Sequence, residues 1–381
     1  MIDFEFESKC YSCGACQVVC PKGAITLSGN CLPIVSDKCV NCGLCEKVCP
    51  YLNEKKYRPC ISGISYVGRN KNFELRKKSS SGGVFYLLAE YALLQGWSVC
   101  GCVYDEELMP KHIVSDKIED IYRMLGSKYV KSELGQALAQ MKRLIKNDGK
   151  VLFSGTPCQI AAVRNLFPEN PNVVCVGIVC HGSIERDVWK AYLKDESLRG
   201  KIVDVTMRDK SKGWLNYGLK FKFADGSEHV TYRKNDGYFL KAFTDGLLER
   251  DRCLTCAYKG DRIQADILLG DAWGMSAIFP EISDEWGLSG VVCMTEQGQT
   301  IFKSIVNKLD CSDIETQLLV NKNQRMISSA PLNPRCRSFR KKYESNPSKI
   351  QELCEQYGKP TIKNRIILKV LKLTSIIKNY I

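Results

Sequence analysis

Nowhere in its 381 residues does the chain hold the run of about 18 apolar residues that a membrane-spanning helix needs, so none is expected. The first eight residues carry three acids, no base and no apolar stretch, which argues against a targeting leader. An excess of 55 Lys and Arg over 42 Asp and Glu gives +13. The positive residues are nevertheless not interleaved with an aromatic platform or a recognised binding motif, so a nucleic-acid partner is not expected. Length and the 44% hydrophobic content leave room for two or three packed domains and exclude a disordered chain.

Cysteine is what the chain has in excess, with 21 residues. In a reduced, cytoplasmic setting, clustered cysteines serve metals or redox work rather than structural disulfides. Cys10-x2-Cys13-x2-Cys16-x3-Cys20-Pro21 recurs 29 residues later as Cys39-x2-Cys42-x2-Cys45-x3-Cys49-Pro50. In each run the first three thiolates curl around one cubane, while the fourth sits past a short helical turn and reaches the other cluster. Two 4Fe-4S clusters follow, one on Cys10, Cys13, Cys16 and Cys49 and the other on Cys39, Cys42, Cys45 and Cys20. A zinc ribbon fits poorly, because paired C-x2-C knuckles need no third and fourth cysteine followed by proline. Such a module moves single electrons and does no bond chemistry, so the rest of the chain must use or supply them.

That remainder reads as an α/β body with a parallel or mixed sheet. Ser79-Ser80-Ser81-Gly82-Gly83 precedes an amphipathic run with Val84, Leu87, Leu88 and Tyr91 on one face and Gly96 as its stop. Serine and glycine at a helix start offer hydroxyls and free amides to a phosphate, although serine is also a common cap without any ligand. Val151-Leu152-Phe153 reads as a strand, Thr156 as an N-cap, Pro157 as the first helical residue and Asn172 to Val179 as the next strand. Right-handed crossover makes those strands parallel and brings Cys158 and Cys180 to one carboxyl-end edge, where ligands collect in open sheets. Cys253-x2-Cys256 precedes another strand, running into Gly270-Asp271-Ala272-Trp273-Gly274. From spacing alone, a third iron–sulfur centre on Cys158, Cys180, Cys253 and Cys256 competes with zinc and with unligated thiols. The nine other cysteines, Cys31, Cys60, Cys100 and Cys102 among them, read as ordinary thiols.

These motifs in this order resemble the coenzyme F420 hydrogenase/dehydrogenase beta-subunit family, fused to an amino-terminal two-cluster ferredoxin. The resemblance rests on Ser79 to Phe85, Gly126-Ser127-Lys128-Tyr129-Val130, Gly155-Thr156-Pro157-Cys158-Gln159, Cys180-His181-Gly182, Arg208-Asp209-Lys210, Cys253-x2-Cys256 and Gly270 to Gly274. It implies FAD beside the third 4Fe-4S cluster, with Ser79, Ser80, Ser81, Gly82, Gly83, Lys128 and Thr156 against the FAD phosphates or ring and Asp271 bordering the cofactor. His181 is a candidate proton donor, weighed against a packed imidazole that orients the cluster. Arg208 and Lys210 either meet an anionic substrate tail or lie on a solvated edge. With three clusters at about −2 each and a flavin diphosphate, the charge excess shrinks by roughly 8.

The expected organisation is a ferredoxin at 1–58, a flavoprotein body at 59–148 and 149–330, and a basic helical tail at 331–381. In the tail, Ile362, Ile366, Val370, Leu373 and Ile377 recur at helical spacing beside six Lys or Arg between 356 and 381. Such a helix docks on an anionic membrane, on a partner or on its own domain. The family implies coenzyme F420 as the two-electron substrate and a ferredoxin or a hydrogenase or dehydrogenase subunit as redox partner. A ferredoxin-dependent reductase of surface-polysaccharide or other metabolite biosynthesis and a non-catalytic electron-relay subunit are the alternatives. The chain is expected in the cytoplasm, peripheral to the inner face of the membrane if the tail docks there.

Overall fold

The computed structural model describes residues 8–54 and 58–359. The two cysteine runs form matching halves. Each has a short helix, Ala15–Val19 and Leu44–Lys47, capped by a glycine in the left-handed region, Gly14 at φ 73° and Gly43 at φ 72°. Strands β1 (Ile25–Leu27) and β2 (Pro33–Val35) pair antiparallel between the halves. A Cβ on Gly14 would press on the backbone of Gly135, so this glycine also seats the module against the body.

The body is built on an eight-stranded mixed sheet. Its strands in chain order are β3 (Ile64–Asn70), β4 (Ser98–Tyr104), β5 (Pro110–Ser115), β6 (Val151–Gly155) and β7 (Val173–Ile178), then, after an intervening subdomain, three more described below. That subdomain is a three-stranded antiparallel sheet of β8 (Ile202–Asp209), β9 (Gly218–Phe223) and β10 (Glu228–Tyr232). The large sheet resumes with β11 (Ile267–Asp271), β12 (Ser289–Cys293) and β13 (Leu309–Ile314), giving the order β13-β3-β12-β11-β7-β6-β4-β5. The central strands β11, β7, β6 and β4 run parallel, with antiparallel strands outside them.

The β6–helix–β7 unit follows the sequence reading closely. Val151 to Phe153 and Val173 to Val176 are continuous apolar runs, as strands covered on both faces require, and every one is buried. The helix Pro157–Leu166 starts on Thr156, whose amide donates to Gln159 Oε1 at 3.0 Å, with Pro157 at its first turn. One face of the sheet is covered by the helices Val84–Leu94, Ile118–Met124 and Glu296–Lys303. The other carries Gly135–Lys146, Pro157–Leu166 and Thr316–Lys322, and Cys13, Ala15 and Val48 of the cysteine-rich module join that core. The β8–β10 sheet packs with the helices Arg186–Glu196, Tyr238–Thr244, Cys336–Ser345 and Ile350–Gly358 around the wholly buried Trp189.

Residues 336–358 of the expected tail are therefore part of that second core, whereas most of its basic amphipathic stretch, 360–381, lies outside the described residues. Among the described residues no helix is long and apolar enough to cross a membrane.

Candidate active site

Because β6, β7 and β11 are parallel, their carboxyl ends open on one edge, and a cavity of about 610 Å³ lies there. It collects residues far apart in the chain. Ser79, Ser80, Ser81, Gly83, Lys128, Thr156, His181 and Asp271 line it together with Cys158, Cys180, Cys253 and Cys256. Gly82 does not face the cavity. Its amide donates to Ser289 Oγ at 3.0 Å, and an added Cβ would strike the carbonyl of Gly68, so Gly82 serves the close approach of the serine loop to β3 and β12.

The four cysteines form one set. Cys256 feels the charges of Cys158, Cys253 and Cys180, and burial above all pushes its thiol up. Burial likewise raises Cys253, and raises Cys180 to about 12. Lys259 beside Cys180 and Arg250 beside Cys253 pull the other way. Four half-buried cysteines with cations beside them have the chemistry of an all-thiolate iron–sulfur site, whose iron would supply the positive charge that favours the thiolate form. In the amino-terminal module Cys10, Cys13, Cys16 and Cys49, the four expected for one cluster, line a second, smaller pocket together with Cys31. Burial and the neighbouring Cys10 and Cys49 raise Cys16 to about 12. For the other set, Cys45 lies near enough to Cys39 to feel its charge, Cys20 Sγ accepts from the Ala24 amide at 3.3 Å, and Cys42 is exposed. Among the described residues no three His, Cys, Asp or Glu side chains form a group suited to a single metal ion.

Of the loop serines, Ser79 Oγ donates to the Leu75 carbonyl at 2.8 Å, Ser81 Oγ to that of Leu288, and Ser80 Oγ lies 2.7 Å from Ser127 Oγ. Lys128 Nζ donates to the carbonyls of Leu125 at 3.0 Å and Gly126 at 3.3 Å, and burial lowers its pKa. Its ammonium thus shapes its own loop while facing the cavity. His181 Nε2 approaches Oε1 of the buried Glu249 to 3.0 Å, off hydrogen-bond alignment, with its ring edge-on to Phe243. The histidine is both cavity wall and carboxylate partner.

The solvated-edge reading of Arg208 and Lys210 is overturned, since both are buried. Lys210 Nζ donates to the carbonyls of Arg76, Ser81 and Trp286, and burial brings its pKa down to about 7, so it ties the serine loop to its neighbours. Arg208 Nη1 meets Asp271 Oδ2 at 2.8 Å, while Trp214 Nε1 donates to Asp271 Oδ1 at 3.1 Å. Cys102, expected only to pack, reaches the cavity wall, whereas Cys100 stays in the core.

Residues that no motif announced join the two cysteine pockets. Tyr11 lines both of them. Arg252, which immediately precedes Cys253, donates to Tyr11 Oη at 2.6 Å and pairs with Glu54, while Arg250 donates to Ser12 Oγ at 2.6 Å and to Glu185 Oε1 at 2.9 Å. The adjacency of Tyr11 to Cys10 and of Arg252 to Cys253 is the signal of this joint in the sequence.

His112, another lining residue, is buried, its Nε2 3.1 Å from the Ser154 carbonyl and its ring stacked on Phe153. Burial, helped by Lys131 and Lys128, lowers its pKa to about 4. The unfolded chain takes up this proton near pH 6.5, so stability falls as pH drops through that value and levels off below about 4, a loss of roughly 3 kcal/mol. Urea unfolding between pH 7 and pH 4.5 should show a shallower decline in His112→Phe; an identical slope would remove His112 from the acid response.

Residues 65–139 match the amino-terminal model of the coenzyme F420 hydrogenase/dehydrogenase beta-subunit family, and residues 148–317 match the carboxyl-terminal one. The chain belongs to this family. Residues 9–53 match a 4Fe-4S dicluster domain. The F subunit of the F(420)H(2) dehydrogenase from Methanosarcina mazei is 25% identical over 297 residues, 73% of this chain and 81% of that protein. One polypeptide of the F420-reducing NiFe hydrogenase complex from Methanosarcina barkeri is 22% identical, covers 74% of this chain and 99% of its own, and superposes with a TM-score of 0.49. Family membership makes the protein an iron–sulfur oxidoreductase of the F420-related kind and carries a 4Fe-4S domain with it.

Proposed function

We propose that this chain is a flavin-containing subunit that carries electrons between coenzyme F420 and a redox partner through three 4Fe-4S clusters. The observation that carries the reading is the cavity that four half-buried cysteines line together with the serine loop, Lys128, Thr156 and Asp271. Its volume, about 610 Å³, is within the range of cofactor sites. Its lining counts eight Lys or Arg against one acid, Asp271, which suits thiolate clusters and a diphosphate.

Cys10, Cys13, Cys16 and Cys49 hold one cluster, Cys20, Cys39, Cys42 and Cys45 the second, and Cys158, Cys180, Cys253 and Cys256 the third. FAD held there would supply single-electron exchange toward the clusters and hydride exchange toward the substrate. The serine loop, Lys128 and Thr156 bind and orient it, with Asp271 at its border. His181, whose Nε2 lies 3.0 Å from Glu249 Oε1 at the cavity wall, is the candidate proton donor. The exposed Cys42 marks the outer side of the module, where a ferredoxin or a hydrogenase or dehydrogenase subunit docks.

The test is to purify the chain anaerobically, measure bound FAD, and mix it with reduced F420 in a stopped-flow instrument. Rapid bleaching of the flavin band, followed by cluster reduction, is expected. Bleaching by reduced ferredoxin alone would reverse the flow and favour the metabolite-reductase reading. Bleaching by neither would leave an electron relay that needs its partner.

A further inference from the structure

The charges lining the cavity are unevenly matched. Arg250 has Glu185, Arg252 has Glu54, and Lys128 has its loop carbonyls. Arg208 is 7% exposed, yet only Nη1 is engaged, by Asp271; Nε and Nη2 are buried with no hydrogen-bond partner. These two nitrogens form the side-on edge of a guanidinium, whose parallel N–H groups match the two oxygens of a carboxylate or phosphate. The fork is held in place, its carbon 4.8 Å from the centre of the Tyr217 ring and 5.3 Å from that of Trp273. Arg233, whose guanidinium carbon lies 5.4 Å from the centre of the same Tyr217 ring, also leaves its buried Nε unpaired.

Burial opposes the Arg208 charge, but Asp271, Tyr129 and Tyr217 outweigh it and the pKa rises, so the group stays cationic. Asp271 is already shared with Trp214, and no second acid lines the cavity among the described residues. A buried guanidinium with two free donors and one carboxylate is left incomplete by the protein alone. This side of the cavity opens toward solvent, since Trp273, against which Arg208 lies, is half-buried and Leu215, next to Asp271's partner Trp214, is 57% exposed.

We propose that Arg208, with Arg233 beside it, forms an oxyanion-binding subsite at the cavity mouth, taking a carboxylate or phosphate of the molecule that enters there. The position at the mouth favours the anionic tail of the exchanging two-electron substrate over the diphosphate of a resident flavin. Only the source of the oxyanion rests on the flavoenzyme reading; the subsite itself does not.

Calorimetric titration of the full chain with inorganic phosphate, at ionic strength held constant with chloride, tests the subsite directly. Saturable binding is expected, weakened about tenfold or more in Arg208→Lys, which keeps the charge but loses the fork, and weakened also in Arg233→Gln. If Arg208→Lys does not fold, Arg233→Gln decides. Equal affinity in wild type and variants, or a response that chloride reproduces, overturns the proposal. In holoenzyme, a raised KM for reduced F420 with unchanged KM for a tail-less deazaflavin and unchanged FAD content assigns the oxyanion to the substrate. Loss of FAD from the variants assigns it to the flavin. Should F420 prove not to react at all, the phosphate titration still decides the subsite while the proposed function fails.

Discussion

On the proposed three-cluster reading, Cys253→Ser should strip about a third of the iron from the purified chain and leave the two amino-terminal clusters in place, since each of the three cubanes would hold four irons. Cys253 is half-buried, 3.6 Å from Ser183 Oγ and within the charge field of Cys158. Among the described residues lining the cavity, its nearest thiol neighbours already belong to the set and cannot take over its place. If the chain binds FAD and reacts with F420 as proposed, flavin bleaching should survive in the variant while bleaching of the amino-terminal clusters is lost or slowed. Iron per chain and the electron paramagnetic resonance of the reduced protein check this. Unchanged iron content would sink the third cluster and return Cys158, Cys180, Cys253 and Cys256 to ordinary buried thiols.

The third set is legible in the sequence through topology rather than spacing. Cys158 and Cys180 follow β6 and β7, and once those strands are parallel their ends must meet at one edge. The apolar runs and the Thr156-Pro157 start are strong local signals, and the structure keeps both. The repeat of cysteines likewise displays its two halves before any fold is known. Arg208 and Lys210 are a different case. Two cations two positions apart look alike in sequence, and only burial shows that Lys210 closes on three carbonyls while Arg208 faces a cavity with donors to spare. Gly82 groups with a phosphate loop in sequence because glycines there suit a ligand, yet its close neighbour is the backbone of β3. Contacts between single residues far apart in the chain, such as Tyr11 with Arg252 across 241 positions, carry no periodicity and no motif.

That last contact has the larger consequence for stability. Arg252→Ala should destabilise the joint between the cysteine-rich module and the body by roughly 3 kcal/mol, the usual cost of removing one partner of a buried pair. Arg252 is 9% exposed, donates to Tyr11 Oη, pairs with Glu54 and lies 4.5 Å from the centre of the Tyr11 ring. Burial first, and then the charge of Cys256, push the Tyr11 phenol well up, so it remains a neutral donor to Glu54 at 2.8 Å. Without the guanidinium, Glu54 faces the half-buried joint with only that phenol, and the wall between the two cysteine pockets loosens. The expected signs are a lower thermal midpoint, easier proteolytic release of the module and, if both pockets hold clusters as proposed, weaker magnetic coupling between them, with iron content close to wild type. A double-mutant cycle with Glu54→Gln separates the ion pair from the Tyr11 contact, because only the former is lost in both single variants. An unchanged midpoint together with unchanged coupling would mean that Tyr258, whose hydroxyl donates to the Pro50 carbonyl at 2.7 Å, holds the joint without Arg252.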